Sequence, residues 1–134
     1  MLRYMLDTNI CIYVLKNKPP EVRDIFNEQV ANLCLSSIAV AELLFGAEKS
    51  QRPAQNLATI ENFTARMNVL AFEEKAAGHY GNIRAELEKQ GQTIGPYDLM
   101  IAAHARSQGL TLITNNRREF DRVSGLRVEN WLAP

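Results

Sequence analysis

Three acidic residues stand in stretches of the sequence that are otherwise apolar. Asp7 ends a short apolar run at residues 2–6, Glu42 interrupts the run 38–47, and Asp98 opens an apolar-rich stretch. Carboxylates are rarely buried without a partner. Three of them in such settings therefore predict a pocket for a cation. Oxygen ligands with no cysteine or clustered histidine among them favour Mg²⁺ or Mn²⁺.

Such a pocket suits the hydrolysis of a phosphodiester. Mg²⁺ is usually held by one or two carboxylates together with waters and substrate phosphates. A bound metal lowers the pKa of a water, orients it, and stabilises charge on the phosphate and the leaving oxygen. Without a cation, neighbouring carboxylates repel one another and their pKa values rise. The residues leave open whether one metal ion or two would bind.

The composition is that of a soluble globular protein, with 134 residues, 46% hydrophobic and 22% charged. This length fits one domain, which we expect to span residues 1–134. Fifteen basic residues balance fifteen acidic ones, so net charge does not indicate a nucleic-acid binder. We expect a cytoplasmic protein, since the chain shows no signal peptide and no apolar run of about 18 residues. Cys11 and Cys34 should then be reduced core residues.

Short apolar segments alternate with amphipathic ones along the chain. We predict strands at 2–6, 33–35, 67–71, 110–114 and 126–128, with helices at 8–15, 21–30, 37–49, 53–66, 73–90, 97–107 and 117–123. This alternation predicts an α/β fold, in which helices cover both faces of a central parallel sheet of four to five strands. In open sheets of this kind, ligands bind outside the carboxyl ends of the strands.

The acidic residues and several polar ones follow these predicted strands. Asp7 comes directly after the first strand, and Glu42 lies about one turn into the helix after the second. Asp98 lies in the first turn of the helix that precedes the fourth strand, and Thr114 ends that strand. If the sheet is parallel, these groups share one edge.

Four ordered segments resemble PIN-domain ribonucleases, specifically toxins of the VapC type from VapBC toxin–antitoxin pairs. They are Met5–Asn9, Ser37–Gly46, Asp98–Ala105 and Leu112–Asn116, the last followed by Arg118-Glu119-Phe120. The resemblance covers essentially the whole chain. It implies a three-layer PIN-like fold, Mg²⁺- or Mn²⁺-dependent endonuclease action on RNA, a VapB-type antitoxin as inhibitor, and a homodimer. Structured RNAs, such as tRNA anticodon loops, are typical targets of the family, and their loss would inhibit translation.

The resemblance assigns catalytic and metal-binding roles to Asp7, Glu42 and Asp98. The fourth acid departs from the family pattern, because many relatives carry an Asp where this chain has Asn116. Glu119 can supply that charge instead. We therefore expect Glu119 to be the fourth catalytic and metal-binding carboxylate, and Asn116 to support the site by holding a metal-bound water. The reaction would leave a 5′-phosphate and a 3′-hydroxyl.

Other polar residues near the acids have less specific signals. Four of them could orient the acids or their waters, or could serve only as caps and turn residues: Thr8, Asn9, Ser37 and Thr114. Arg117, Arg118 and Arg122 surround the fourth acid and could neutralise RNA phosphates, or form only a solvated face. Tyr97 could stack on a base, although packing against the protein is the simpler expectation. His104 is expected to be structural.

The residues alone do not exclude two other functions. A haloacid-dehalogenase-like phosphatase would need Asp-x-Asp after the first strand, where this chain has Asp7-Thr8-Asn9. A non-catalytic RNA-binding or interaction domain could share the fold, although three acids at one edge argue against it. If RNA is cleaved, the cut site must be unpaired, so a loop is the expected target.

Overall fold

A computed structural model describes residues 1–132, so residues 133–134 of the predicted domain lie outside the described residues. Five parallel strands form one sheet in the order β3-β2-β1-β4-β5. The strands of this part of the chain are β1 (Tyr4–Leu6), β2 (Leu33–Ser36), β3 (Asn68–Leu70), β4 (Thr111–Ile113) and β5 (Val128–Glu129). The predicted parallel sheet is therefore confirmed.

The helices of residues 1–132 follow the predicted alternation with the strands. They are α1 (Thr8–Lys16), α2 (Pro20–Gln29), α3 (Ser37–Glu48), α4 (Pro53–Thr64), α5 (Glu74–Gln90), α6 (Pro96–Ser107) and α7 (Arg117–Phe120), with a 3-10 turn at Val30–Asn32. Prolines begin α2, α4 and α6, because the fixed φ of proline suits the first helical position. Gly91 ends α5 with φ 66° and donates its N–H to the carbonyl of Leu87.

Several predicted boundaries were wrong by one to three residues. α7 ends at Phe120 instead of continuing to residue 123, because the amides of Arg122 and Val123 bond three residues back, as in a turn: Val123 donates to the carbonyl of Phe120. β5 covers Val128–Glu129 instead of 126–128, since Val128 is the residue in register with Leu112 of β4. These shifts leave the strand ends that carry the acids unchanged.

The sheet separates two hydrophobic cores, which makes the fold three-layered as predicted. Successive side chains of a strand point to opposite faces. Met5 thus packs with the core under α5 and α6, while Leu6 packs with the core under α1, α2 and α4. Cys11 and Cys34 are buried and unpaired, as expected. No helix within residues 1–132 is both long and apolar enough to span a membrane.

The chain order places a crevice between β1 and β4. From β1 the chain proceeds to β2 and β3 on one side, and then returns through α5 and α6 to β4 on the other side of β1. The connections after β1 and after β4 therefore diverge from each other at their carboxyl ends. This is the switch point at which open α/β sheets bind ligands.

Candidate active site

Asp7 occupies the switch point between β1 and β4. Its backbone N–H donates to the carbonyl of Ile113 at 2.9 Å, which extends the pairing of the two strands. The residue is only 1% exposed and its side chain caps α1, where Oδ1 accepts the N–H of Thr8 at 2.8 Å. Aspartate is a favoured cap because its oxygen satisfies a free amide at the helix start. One residue thus ends the strand, begins the helix and holds a buried carboxylate.

Thr114 fixes the other oxygen of this carboxylate. The hydroxyl of Thr114, fully buried, donates to Oδ2 of Asp7 at 2.8 Å. The same hydroxyl oxygen accepts the backbone N–H of Asn116 at 3.0 Å, so its proton is directed toward Asp7. Each carboxylate oxygen has a second lone pair, which remains available to a cation. The two hydrogen bonds therefore orient Asp7 without exhausting its capacity to bind metal.

Glu42 joins the site through Thr8. Ser36 caps α3 by accepting the N–H of Ile38 at 3.1 Å, and Glu42 lies just over one turn further along this helix. The hydroxyl of Thr8 donates to Oε1 of Glu42 at 2.8 Å. Because the amide of Thr8 also bonds Asp7, this one residue contacts two of the predicted acids.

Asp98 lies in the first turn of α6 and has no side-chain hydrogen bond to any residue in 1–132. Burial raises the pKa of Asp98 to about 6, and the negative charges of Asp7, Glu42 and Glu119 contribute in the same direction. Burial is also the largest cause of the raised pKa of Asp7, opposed by its hydrogen bonds and reinforced by Glu42 and Glu119. Asp7 and Asp98 are therefore within electrostatic range of each other and of both Glu42 and Glu119.

Glu119 joins this group from α7, where it is partly buried. Its charge raises the pKa values of both Asp7 and Asp98. Asn116 acts through its backbone: its N–H donates to Thr114, and its carbonyl accepts the N–H of Phe120 at 3.3 Å. Its side chain makes no capping hydrogen bond to α7. We call the group Asp7, Glu42, Asp98 and Glu119 the acidic pocket.

The acidic pocket offers oxygen ligands in a partly desolvated setting, which is the donor chemistry of Mg²⁺ or Mn²⁺. Within residues 1–132, no three His, Cys, Asp or Glu side chains are close enough to hold a metal ion by themselves. Mg²⁺ does not need such a closed set, because it keeps several waters and uses one or two direct carboxylates. A cation would also relieve the repulsion that raises the pKa of Asp98. The residues present therefore fit this ion.

Some of the other predicted residues make no hydrogen bond or ion pair with these four acids in residues 1–132. Asn9 is exposed and makes no side-chain hydrogen bond in the described part of the chain, while Ser37 accepts the N–H of Phe72 at 3.1 Å. Arg117 pairs with Asp121 at 3.5 Å, and Arg122 donates to the carbonyl of Thr93 at 2.9 Å. Arg118 is exposed and forms no ion pair or side-chain hydrogen bond within residues 1–132.

Two contacts near the strand ends had no signal in the sequence. Nδ1 of His104, which is 1% exposed, lies 2.8 Å from the hydroxyl of Ser36, so α6 is tied to the residue just before α3. Asn115 donates to the hydroxyl of Tyr13 at 2.9 Å and holds the segment after β4 against α1. The partners are 68 and 102 residues apart. No local pattern could pair them.

Comparisons with known proteins agree with this geometry. The sequence matches the PIN domain family over residues 4–126. It is 57% identical to the tRNA(fMet)-specific endonuclease VapC of Shigella flexneri, over 98% of this chain and 99% of that protein. It is likewise 57% identical to ribonuclease VapC2 of Haemophilus influenzae, over 98% of this chain and 100% of that protein. A crystal structure of DNA-bound VapBC from Salmonella typhimurium superposes with a TM-score of 0.94 at 52% identity, covering 98% of this chain and 100% of that one.

Proposed function

The chain belongs to the PIN-domain family, and from that membership we propose that it is a metal-dependent RNA endonuclease and the toxin of a toxin–antitoxin pair. The observation that carries the proposal is the acidic pocket at the β1–β4 switch point, where four carboxylates come within electrostatic range. The extensive identity to proteins named VapC ribonucleases supports the same activity. Because a relative of this similarity is named for tRNA(fMet), initiator tRNA is the first substrate to test.

Each acid has a proposed role. Asp7, Asp98 and Glu119 would hold Mg²⁺ or Mn²⁺, one or two of them directly and the rest through its waters, and Glu42 would bind it directly or through a water. When bound, the cation supplies a nucleophilic water near neutral pH and offsets charge on the scissile phosphate. Thr114 and Thr8 hold Asp7 and Glu42 in place through their hydroxyl hydrogen bonds. Three arginines were predicted to contact RNA phosphates, and Arg118 is the one whose guanidinium has no partner in the described residues. It is exposed and directly precedes Glu119.

The proposed protein partner is a VapB-type antitoxin, and we also propose a homodimer. An apolar groove of about 460 Å³ between α1, α3 and α4 has Glu42 at its rim. Ile12, Leu15, Leu43 and Ile60 are among the residues that line it. A partner helix could bury its apolar side there while a basic side chain reaches the acids. Size-exclusion chromatography of the protein alone tests the dimer.

The phosphatase alternative is weaker in this geometry. Such an enzyme needs a second aspartate two residues after the first, to act as its acid. That position is Asn9, which is exposed, has no side-chain partner in residues 1–132, and cannot donate a carboxyl proton. The non-catalytic alternative would be excluded by metal-dependent cleavage of RNA by the purified protein.

Removing divalent metal should abolish cleavage of initiator tRNA. We expect purified protein with Mg²⁺ or Mn²⁺ to yield two discrete fragments on a sequencing gel, mapped by their new 5′ ends. A chelator should prevent the cut and added metal should restore it, because the proposed nucleophile is a water whose pKa the metal lowers. Ca²⁺ tests whether a cation of another size can replace Mg²⁺. Cleavage that persists in excess chelator would contradict the metal dependence, and failure to cut any of a panel of structured RNAs would contradict the nuclease proposal.

The fourth carboxylate can be assigned by exchanging charge between two positions. We expect Glu119→Gln to lower kcat/KM roughly tenfold to hundredfold, as losses at supporting metal residues do, and to weaken stabilisation of the protein by Mg²⁺. Asn116→Asp in the Glu119→Gln background should restore part of both, since it returns a carboxylate to the same segment. Glu48→Gln, an exposed position on α3, is the matched control. Wild-type metal response in Glu119→Gln would exclude Glu119 from the site.

A further inference from the structure

Tyr97 is a large, exposed aromatic residue that directly precedes Asp98 of the acidic pocket. It is 56% exposed, whereas the expectation from sequence was that it would pack. Of the ten aromatic residues in the chain, all of them within residues 1–132, Phe45 is the only other that is exposed. In this part of the chain the ring of Tyr97 has no aromatic or cationic partner, and its hydroxyl makes no hydrogen bond. The packing expectation was therefore wrong, and the exposed ring needs another explanation.

The backbone around Tyr97 is firmly held. Gly95 precedes α6 in an extended conformation, and its carbonyl accepts the N–H of Leu99 at 2.9 Å. Pro96 fixes φ at the first helical position. On the other side, the guanidinium of Arg122 donates to the carbonyl of Thr93 at 2.9 Å and anchors the preceding loop to the segment that follows α7. With its backbone held, tyrosine has only two side-chain torsions to fix, so it loses little conformational entropy when a ligand stacks on its ring.

We propose that Tyr97 is a stacking platform for a nucleobase of the RNA, next to the nucleotide that is cut. This inference rests on the proposed function and deepens it. Tyr97 and Asp98 are consecutive residues of α6, so their Cα atoms lie about 3.8 Å apart, and a nucleotide with its phosphate at the acidic pocket would have a neighbouring base within reach of this ring. Stacking on an aromatic side chain tolerates every base, because all have a π-face. It also requires an unpaired base, which fits cleavage in a loop.

Phe45 does not share this role. It lies on α3, and the ammonium of Lys49 sits over its ring at 5.0 Å from the centroid. A cation already contacts one face of that ring, whereas Tyr97 has no such neighbour in the described residues. Phe45 therefore provides a matched control: it is an exposed aromatic residue on the same molecule that we do not expect to bind a base.

The test measures RNA binding in a cleavage-deficient Asp7→Asn background. The probe is a fluorescent hairpin with the anticodon stem and loop of initiator tRNA, prepared intact and with a single abasic site at each loop position. We expect Tyr97→Leu to weaken binding of the intact hairpin roughly tenfold to hundredfold. Tyr97→Phe should retain affinity within about twofold, since the ring does the stacking. Phe45→Leu should also bind within about twofold of the background protein.

The abasic series distinguishes stacking from a structural role. In the background protein that retains Tyr97, an abasic site at one loop position should weaken binding as much as the Tyr97→Leu substitution does. In the Tyr97→Leu variant, the same abasic site should weaken binding no further. The proposal would be overturned if the affinity losses from the abasic sites and from Tyr97→Leu were independent at every loop position. It would also be overturned if Tyr97→Phe bound as weakly as Tyr97→Leu, or if the intact hairpin did not bind measurably. A changed oligomeric state of Tyr97→Leu would show instead that a second copy covers the ring. Cleavage of RNA by the wild-type protein is assayed in parallel. If the wild type cleaves but the binding results contradict stacking, only the stacking proposal fails, and the nuclease proposal stands.

Discussion

Asp7→Asn should abolish RNA cleavage while the fold remains intact. We expect kcat/KM to fall at least about a thousandfold, because a catalytic metal contributes several kcal/mol and each 1.36 kcal/mol corresponds to a factor of ten. The asparagine would keep the shape of the side chain but lose the charge that attracts the cation. Its oxygen can still accept the N–H of Thr8 and cap α1, since asparagine is as good a cap as aspartate.

The Asp7→Asn variant should lose its RNA cleavage activity without losing thermal stability. Burial and the charges of Glu42 and Glu119 raise the pKa of Asp7, so its ionised form opposes folding when no cation is present. The amide nitrogen that replaces Oδ2 cannot accept the hydrogen bond from Thr114, and this loss opposes the gain from removing the buried charge. We therefore expect metal-free Asp7→Asn to melt near the wild-type temperature. Asp24→Asn, at an exposed position on α2, is the control for replacing an aspartate by an asparagine, and this variant should cleave RNA as the wild type does. Similar cleavage by wild type and Asp7→Asn would remove Asp7 from the mechanism, and an unfolded variant would indicate that its role is structural.

Asp98→Asn should stabilise the metal-free protein at neutral pH and strongly weaken its response to Mg²⁺. The pKa of Asp98 is raised from 3.8 to about 6 by burial, Asp7, Glu42 and Glu119. Between these values the folded protein holds more protons than the unfolded chain, so its free energy of unfolding decreases as pH rises from about 4 to 6. Two pKa units correspond to about 3 kcal/mol, and solvent screening at this partly exposed site reduces the effect to roughly 1–2 kcal/mol.

The measurement is urea unfolding in a chelator, from about pH 4 to pH 7.5. The difference between Asp98→Asn and wild type should be small at the acidic end and grow through about pH 6, where the wild-type carboxyl loses its proton. Mg²⁺ should then raise the stability of the wild type, because it binds only the folded state. It should have much less effect on the variant, which should also be inactive. A stability difference that is constant with pH would show that Asp98 is not under electrostatic strain.

Both predictions describe a site that opposes the folding of its own chain. The acidic pocket brings four carboxylates together, and their repulsion is largest at the pH where RNA would be cleaved. Hydrogen bonds from Thr8 and Thr114 offset part of this repulsion by stabilising Glu42 and Asp7. A cation, or a basic side chain from an antitoxin, would offset the remainder. Metal binding, inhibition and stability should therefore be coupled through the same charges.

The sequence by itself determined the order of the elements and predicted three of the four acids of the proposed site. Strands are short apolar runs and helices repeat every 3.6 residues, so both are local patterns that can be recognised without the fold. Proline and glycine marked several helix ends for the same reason. Once the sheet was inferred to be parallel, Asp7 and Asp98 had to approach one edge. The resemblance of four ordered segments to PIN-domain ribonucleases added Glu119 as an expectation that local pattern alone did not give.

Only the tertiary structure decided which side chains meet. Thr114 bonds Asp7 across 107 residues, and Thr8 bonds Glu42 across 34. Asn9 and Ser37, which looked equally suitable, make no hydrogen bond to an acid of the pocket in residues 1–132. Arg122 holds a loop, and the ring of Tyr97 is exposed instead of packed. Such hydrogen bonds and exposures depend on strand order, register and helix rotation. These are set by packing the whole chain, because the energy of each contact depends on partners that no local window contains.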